Sequence, residues 1–275
     1  MKTLSIITVN KNNTAGLNKT IKSVVCQTSN DYEYIIIDGA SNDSSVEVIK
    51  KYSDKIDYWV SEPDTGIYNA MNKGIRKAKG KYCLFLNSGD WLVSTDTLEN
   101  VFNEICNNDT DIFFSDAKRS DNTFSRFPKY ITPSVLIQMR ISHQNTLIKR
   151  SLFLEHGFYN ENLKICSDYE FFLNELLKHK IIYTKIKTNI SIFDVHGISS
   201  TNHSLMYAED ILVFQNVFNE FSDIVSDYNI TFSKYRELIK NDAYNISLIK
   251  LYKILIKRSI NKIFQLLFSI KIFKY

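Results

Sequence analysis

Aspartates recur where apolar runs stop. Asp38 follows Tyr34–Ile37 and opens Asp38-Gly39-Ala40-Ser41-Asn42-Asp43-Ser44. Asp64 lies in Ser61-Glu62-Pro63-Asp64-Thr65-Gly66, and Asp90 closes Asn87-Ser88-Gly89-Asp90. Taken singly, these are ordinary turn segments, and Asp43 reads as the N-cap of a following helix. Asp38 and Asp90 together say more. Two carboxylates meeting at one edge of a buried sheet repel unless a cation or ligand intervenes. Oxygen ligands around a divalent cation that bridges a diphosphate suit Mg²⁺ or Mn²⁺. Glycine-loop chemistry is excluded, because no G-x-x-x-x-G-K-[ST] or G-x-G-x-x-G follows the first apolar run. A nucleotidyltransferase would need a glycine-rich basic loop where Asn10-Lys11-Asn12-Asn13 stands.

The elements that must position these acids alternate between two periods over the first 115 residues. Leu4–Val9, Tyr34–Ile37, Tyr58–Val60, Tyr82–Leu86 and Asp111–Phe114 are strand-like apolar runs. Thr14–Val25, Val46–Tyr52, Ile67–Ala78 and Thr97–Cys106 are predicted helices. Ile67, Ala70, Met71, Gly74, Ile75 and Ala78 form a complete apolar stripe, which Gly80 ends as a C-terminal glycine. Such alternation predicts an α/β fold with a parallel sheet covered on both faces. Ligands then sit beyond the carboxyl ends of the strands, where the aspartates are. Further on, Thr123–Phe127, Asn145–Ile148, Ile181–Ile186 and Asn189–Phe193 read as short strands. Asp168–Lys178, Leu205–Phe221, Phe232–Lys240 and about 246–270 read as helices.

Four ordered blocks then resemble family-2 glycosyltransferases of the GT-A fold. They are Ser5-Ile6-Ile7-Thr8-Val9-Asn10, Asp38-Gly39-Ala40-Ser41-Asn42-Asp43, Asp64 to Gly74, and Phe85-Leu86-Asn87-Ser88-Gly89-Asp90. The resemblance spans about residues 3–200 and looks closest to non-processive enzymes of bacterial capsule, exopolysaccharide or O-antigen synthesis. It implies an inverting transfer from a nucleotide-sugar such as a UDP-sugar to a saccharide or lipid-linked saccharide. It places Asp38 at the nucleotide base, with Thr8 and Asn10 lining that pocket. Asp64, Asn69, Lys73, Asn87, Ser88 and Gly89 join the donor site, and Asp90 ligates Mn²⁺ or Mg²⁺. Two family acids are replaced by Asn87 and Gly89, and a family arginine by Met71. Asn69, Lys73 and Arg76 are read either as partial replacements or as a solvated helix face. Ser167-Asp168-Tyr169-Glu170 matches the acid pair that opens a helix, so Asp168 is the expected general base; otherwise it complements the helix dipole. Glu170 reads as solvated or supporting. His143-Gln144 reads as structural or as touching acceptor or phosphate. His196 is read as a metal ligand or a turn residue. A catalytically inactive sugar-nucleotide-binding scaffold on the same fold is the alternative, supported by the thinned acid motif.

Charge is uneven. Residues 245–275 carry seven basic and no acidic side chains, leaving 27 basic against 30 acidic residues elsewhere. A body near −3 does not present a broad phosphate-binding surface, so nucleic acid is excluded as a partner. The expected organisation is a transferase domain over 1–204, with a donor half to about 116 and an acceptor half over 117–204, followed by helices over 205–275. The basic amphipathic segment 246–275 predicts peripheral contact with an anionic inner leaflet by a cytoplasmic protein. No apolar stretch long enough for a signal peptide or a spanning helix is found. Cys26, Cys83, Cys106 and Cys166 form no Cys-x-x-Cys pair and are expected to be reduced, buried thiols.

Overall fold

The computed structural model describes residues 2–131, 135–136, 139–179 and 181–218. The helices expected over 232–240 and 246–270, and the basic membrane-contact segment, lie outside the described residues.

The described residues fall into two units, one within 2–130 and 141–210, the other comprising the described residues of 131–140 and 211–218. Glu209 is tied by hydrogen bonds to the backbone of 164–166 within the first unit.

Seven strands make the central sheet of the first unit. Its elements begin β1 Leu4–Asn10, α1 Thr14–Val25, β2 Tyr32–Asp38, α2 Ser45–Lys51, β3 Tyr58–Ser61, α3 Ile67–Lys77 and β4 Tyr82–Phe85. They continue β5 Trp91–Leu92, α4 Thr97–Ile105, β6 Ile112–Phe114, β7 Ala117–Arg119, β8 Phe124–Ser125 and β9 Thr146–Lys149. Then come α5 Arg150–His156, α6 Ser167–Lys178, β10 Tyr183–Lys185, β11 Ser191–Phe193, α7 Ile198–Thr201 and α8, which starts at His203. The sheet order is β10-β6-β9-β4-β1-β2-β3. β1 pairs in parallel with β2 and β4, and β2 with β3. The sheet is mostly parallel, as expected, with β9 inserted antiparallel between β4 and β6. A smaller sheet has the order β5-β11-β7-β8.

Alternation along β1 explains the layering. Leu4 and Ile6 join Leu17, Ile21, Leu98 and Val101 of α1 and α4 in one apolar core. Ile7 faces the other way, beneath α3, where a Cβ on Gly74 would collide with Ile7 Cγ2. The helix therefore rides close on the strand. Gly80 is not the αL cap of α3, which ends at Lys77. It is glycine because a Cβ there would lie 2.6 Å from the backbone of Leu4 and Ser5. Its N–H donates to Ser5 Oγ and to Glu33 Oε1, both at 2.9 Å.

Asp43 serves two helices. Its carboxylate accepts the Ser45 N–H of α2 and the Thr14 N–H of α1, both at 3.0 Å. The Ser45 hydrogen bonds, with those of Thr14, hold this acid at about 2. The cysteines are free, but only Cys83 and Cys166 are buried; Cys26 and Cys106 sit at helix ends and are exposed. Among the described residues no helix is long and apolar enough to cross a membrane.

Candidate active site

The register of the sheet lines up its acids. Asn10 of β1 pairs with Asp38 of β2, and Asp38 with Ser61 of β3. Asp38 is wholly buried. Its Oδ1 accepts Asn10 Nδ2 at 2.7 Å and Ser41 Oγ at 2.6 Å; its Oδ2 accepts Ser41 N at 2.9 Å and Ser61 Oγ at 2.6 Å. Burial pushes this carboxyl up, yet the four hydrogen bonds prevail and hold it below its ordinary value. All four acceptor positions of the carboxylate are used by the chain. A nucleotide base would therefore have to displace a serine hydroxyl to reach Asp38. The adjoining loops are interlocked: Asn12 and Ala40 both adopt positive φ, and Asn12 Oδ1 accepts the Asn42 N–H at 2.8 Å. Asp64 packs over this loop, where a Cβ on Gly39 would collide with its Oδ2. Thr8 is buried in the core, its Oγ1 3.1 Å from Tyr34 Oη.

Beyond β4, the turn Asn87–Asp90 is pinned by α1. Asn13 Nδ2 donates to Ser88 O at 3.0 Å, and Thr20 Oγ1 accepts the Gly89 N–H at 3.0 Å. Gly89 has φ +111°, a backbone conformation that side chains resist. The space a side chain would fill is taken by Asp194, whose Oδ2 is 2.9 Å from the position of a Cβ. Asp194, just past β11, carries no signal in the sequence that marks it for this site. It replaces in space an acid that Gly89 lacks in sequence, and its N–H donates to Asp90 Oδ1 at 2.8 Å. Asp90 is buried. Desolvation pushes it up to about 6 despite the Asp194 N–H and the neighbouring His143 and Gln144. Lys19 of α1 stands 2.9 Å from the centre of the Trp91 ring. Burial lowers its ammonium, while Asp194 and Asp90 pull against that shift. His196 is exposed and turns Nδ1 onto Asp194 Oδ1 at 2.8 Å.

Asp168, in the first turn of α6, is held from both sides. His143 Nδ1 lies 2.6 Å from its Oδ2. Tyr68 Oη of α3 lies 2.9 Å from its Oδ1 and 2.6 Å from Ile165 O. Burial and the Asp168 charge raise the Tyr68 phenol well above its ordinary value, so it stays protonated. The other ring nitrogen, His143 Nε2, is 3.1 Å from Asn87 Nδ2. The Asp168 carboxylate accepts, so His143 Nδ1 carries the proton directed at it. His143 thus joins the Asn87–Asp90 turn to the second acid, with Nε2 toward Asn87 and Nδ1 on Asp168. The loop before α6 is fixed by Glu209, which accepts the N–H groups of Lys164, Ile165 and Cys166 at 2.6–3.0 Å.

The polar side chains of α3 are paired, although Arg76 remains exposed. Asn69 and Asn72 both donate to Glu161, at 2.7 and 2.9 Å. Lys73 pairs with Glu62 at 2.7 Å, and the Arg76 guanidinium lies over Phe158 at 4.6 Å. These side chains dock α3 on the 157–165 segment and the β3 loop. Glu170 accepts Asn160 Nδ2 at 2.9 Å, a supporting contact. Two buried acceptors at the strand ends, Asn10 Oδ1 and Asn87 Oδ1, have no hydrogen-bond partner. A desolvated acid at Asp90, the Asp194 carboxylate beside it and the unpartnered Asn87 Oδ1 make a set of oxygen donors that fits Mg²⁺ or Mn²⁺.

This mostly parallel sheet flanked by helices, with acids at the carboxyl ends of its strands, is a GT-A fold. The match to the Glycosyl transferase family 2 model covers residues 5–173, more than half of the 275 residues, and the chain belongs to that family. It is 29% identical over 171 residues to a PGL/p-HBAD biosynthesis glycosyltransferase of Mycobacterium bovis (strain BCG / Pasteur 1173P2), covering 61% of this chain and 67% of that one. It is also 29% identical over 204 residues to an uncharacterized glycosyltransferase of Mycobacterium tuberculosis (strain CDC 1551 / Oshkosh), covering 72% and 77%. Among solved structures, S. aureus TarS 1-349 in complex with UDP-GlcNAc matches with a TM-score of 0.64 at 16% identity, over 78% of this chain and 67% of that one. The mannosyltransferase PcManGT from Pyrobaculum calidifontis, in complex with GDP-Man and Mn²⁺, matches with a TM-score of 0.57 at 12% identity, over 94% and 85%. The chain spans 40% of the longer TarS structure.

Proposed function

We propose that this transferase moves a sugar, with inversion, from a nucleoside-diphosphate donor to a hydroxyl of a saccharide or lipid-linked saccharide acceptor. The observation that carries the reading is the link from the Asn87–Asp90 turn to Asp168 through His143. An inverting displacement needs a leaving-group site and a base held in fixed relation. In this reading Asp168 removes the acceptor hydroxyl's proton as the new C1–O bond forms and the C1–O bond to the diphosphate breaks. His143 and Tyr68 hold the carboxylate in place. Asp90, Asp194 and Asn87 would hold a divalent cation, which neutralises negative charge on the leaving diphosphate. Lys19 adds a positive charge beside the same two carboxylates. The unpartnered Asn10 Oδ1 offers an acceptor to the donor's hydroxyl or N–H groups.

An inactive scaffold on this fold finds less support, because the two thinned positions have structural explanations. Asn87 hydrogen-bonds His143, and Gly89 makes room for Asp194.

A thermal-shift panel of UDP-, GDP-, CDP- and TDP-sugars with Mn²⁺ tests donor binding. One nucleotide series is expected to raise the melting temperature well above the others. No stabilisation by any sugar nucleotide in the presence of Mn²⁺ would overturn the assignment.

A further inference from the structure

The C-terminal ends of α5 and α6 bring together three metal-ligating side chains that the transfer reaction does not use. Glu175 and His179 are four residues apart, so they share a face at the end of α6. His156, the last residue of α5, meets them: its Nδ1 is 2.8 Å from Glu175 Oε2. One ligand atom from each of the three lies within 4.8 Å of the others. The Glu175 side chain is only 2% exposed. Such an acid under two imidazoles gains from a cation.

We infer that His156, Glu175 and His179 form a second metal site, for a transition-metal dication of the Zn²⁺ type, clipping α5 to α6. Two imidazoles and one carboxylate suit Zn²⁺, with water completing a tetrahedron. Mg²⁺ and Mn²⁺ prefer oxygen-rich sites such as that at Asp90. Neutral imidazole is the ligating form. The rings are parallel within 4°, with centroids 3.7 Å apart. A metal lies in the plane of each ligating ring, so both rings turn about their Cβ–Cγ bonds to converge on it. Glu175 is seven residues beyond Asp168, about 10 Å along the helix axis. The site is therefore separate from the base, on the element that carries it.

Equilibrium dialysis of the full chain against Zn²⁺, with an excess of Mg²⁺ present to fill oxygen sites, tests this. One Zn²⁺ per chain is expected, and Co²⁺ should replace it with the visible absorption bands of a tetrahedral ion. His156→Ala and His179→Ala should each weaken Zn²⁺ at least tenfold and abolish those bands. Glu175→Gln should do the same if it folds. Asp90→Asn should leave this Zn²⁺ in place. The inference is overturned if no Zn²⁺ binds, if both histidine variants retain wild-type affinity, or if the ion is lost with Asp90→Asn alone. The site is independent of the proposed reaction, so loss of the three-ligand signal leaves that reading standing.

Discussion

Replacing Asp168 by Asn is expected to lower kcat by about a thousandfold, within the range general acid–base groups supply, while donor KM stays within a few-fold of wild type. The geometry explains why the variant should fold. Tyr68 Oη and the Tyr169 N–H both address Oδ1, which the amide retains as a carbonyl oxygen. The amide nitrogen would then face His143 Nδ1, so the imidazole must move its proton to Nε2. Asn87 can accommodate that proton by turning its unpartnered Oδ1 toward the ring. A companion variant, His143→Ala, keeps the carboxylate and its Tyr68 contact. It should lose less activity than Asp168→Asn, in kcat and not in donor KM. Steady-state kinetics with unfolding curves on both variants check this. A fully active Asp168→Asn enzyme would remove the assigned base.

The second large effect is at Asp90, where activity and stability should move in opposite directions. Desolvation raises its folded-state pKa from 3.8 to about 6 in the cation-free protein. The folded chain therefore binds this proton more tightly than the unfolded chain. The benefit is complete below the unfolded value and is lost as pH rises through about 6. A rise of that size corresponds to ~3 kcal/mol lost at about pH 8 relative to about pH 4. Asp90→Asn should remove that loss. At pH 8 without metal the variant is expected to be more stable than wild type by about 1–3 kcal/mol, and at pH 4 to match it. Mn²⁺ should stabilise wild type strongly at pH 8 and weakly at pH 5, where protons compete for Asp90. It should not stabilise the variant in this way, and transfer activity should be lost. Denaturation midpoints at the two pH values, with and without Mn²⁺, measure each part.

The acids that could be found in the sequence were those announced by local pattern. Asp38, Asp64 and Asp90 follow apolar runs, and Asp168 opens an amphipathic helix. Their partners carry no such mark. Tyr68 meets Asp168 across 100 positions, and Asp194 meets Asp90 across 104. Nothing near Asp194 in the chain shows that β11 will deliver it beside Gly89. The same holds for β9. Thr146–Lys149 reads as a strand by composition, but its direction and its place between β4 and β6 arise only from tertiary packing. The polar residues of α3 fit a helix face in sequence. That Asn69 pairs with Glu161 and Lys73 with Glu62 depends on a loop some ninety residues away and on the turn before the helix.

The central claim is displacement at C1 by an acceptor hydroxyl that Asp168 deprotonates from the side opposite the diphosphate. The anomeric configuration of the first product, read from its ¹H–¹H and ¹³C–¹H couplings at C1, tests it most directly once a donor is in hand. An α-linked nucleotide-sugar should give a β-glycoside, with no α product at early times. An α-glycoside as the initial product would show retention and contradict the role given to Asp168.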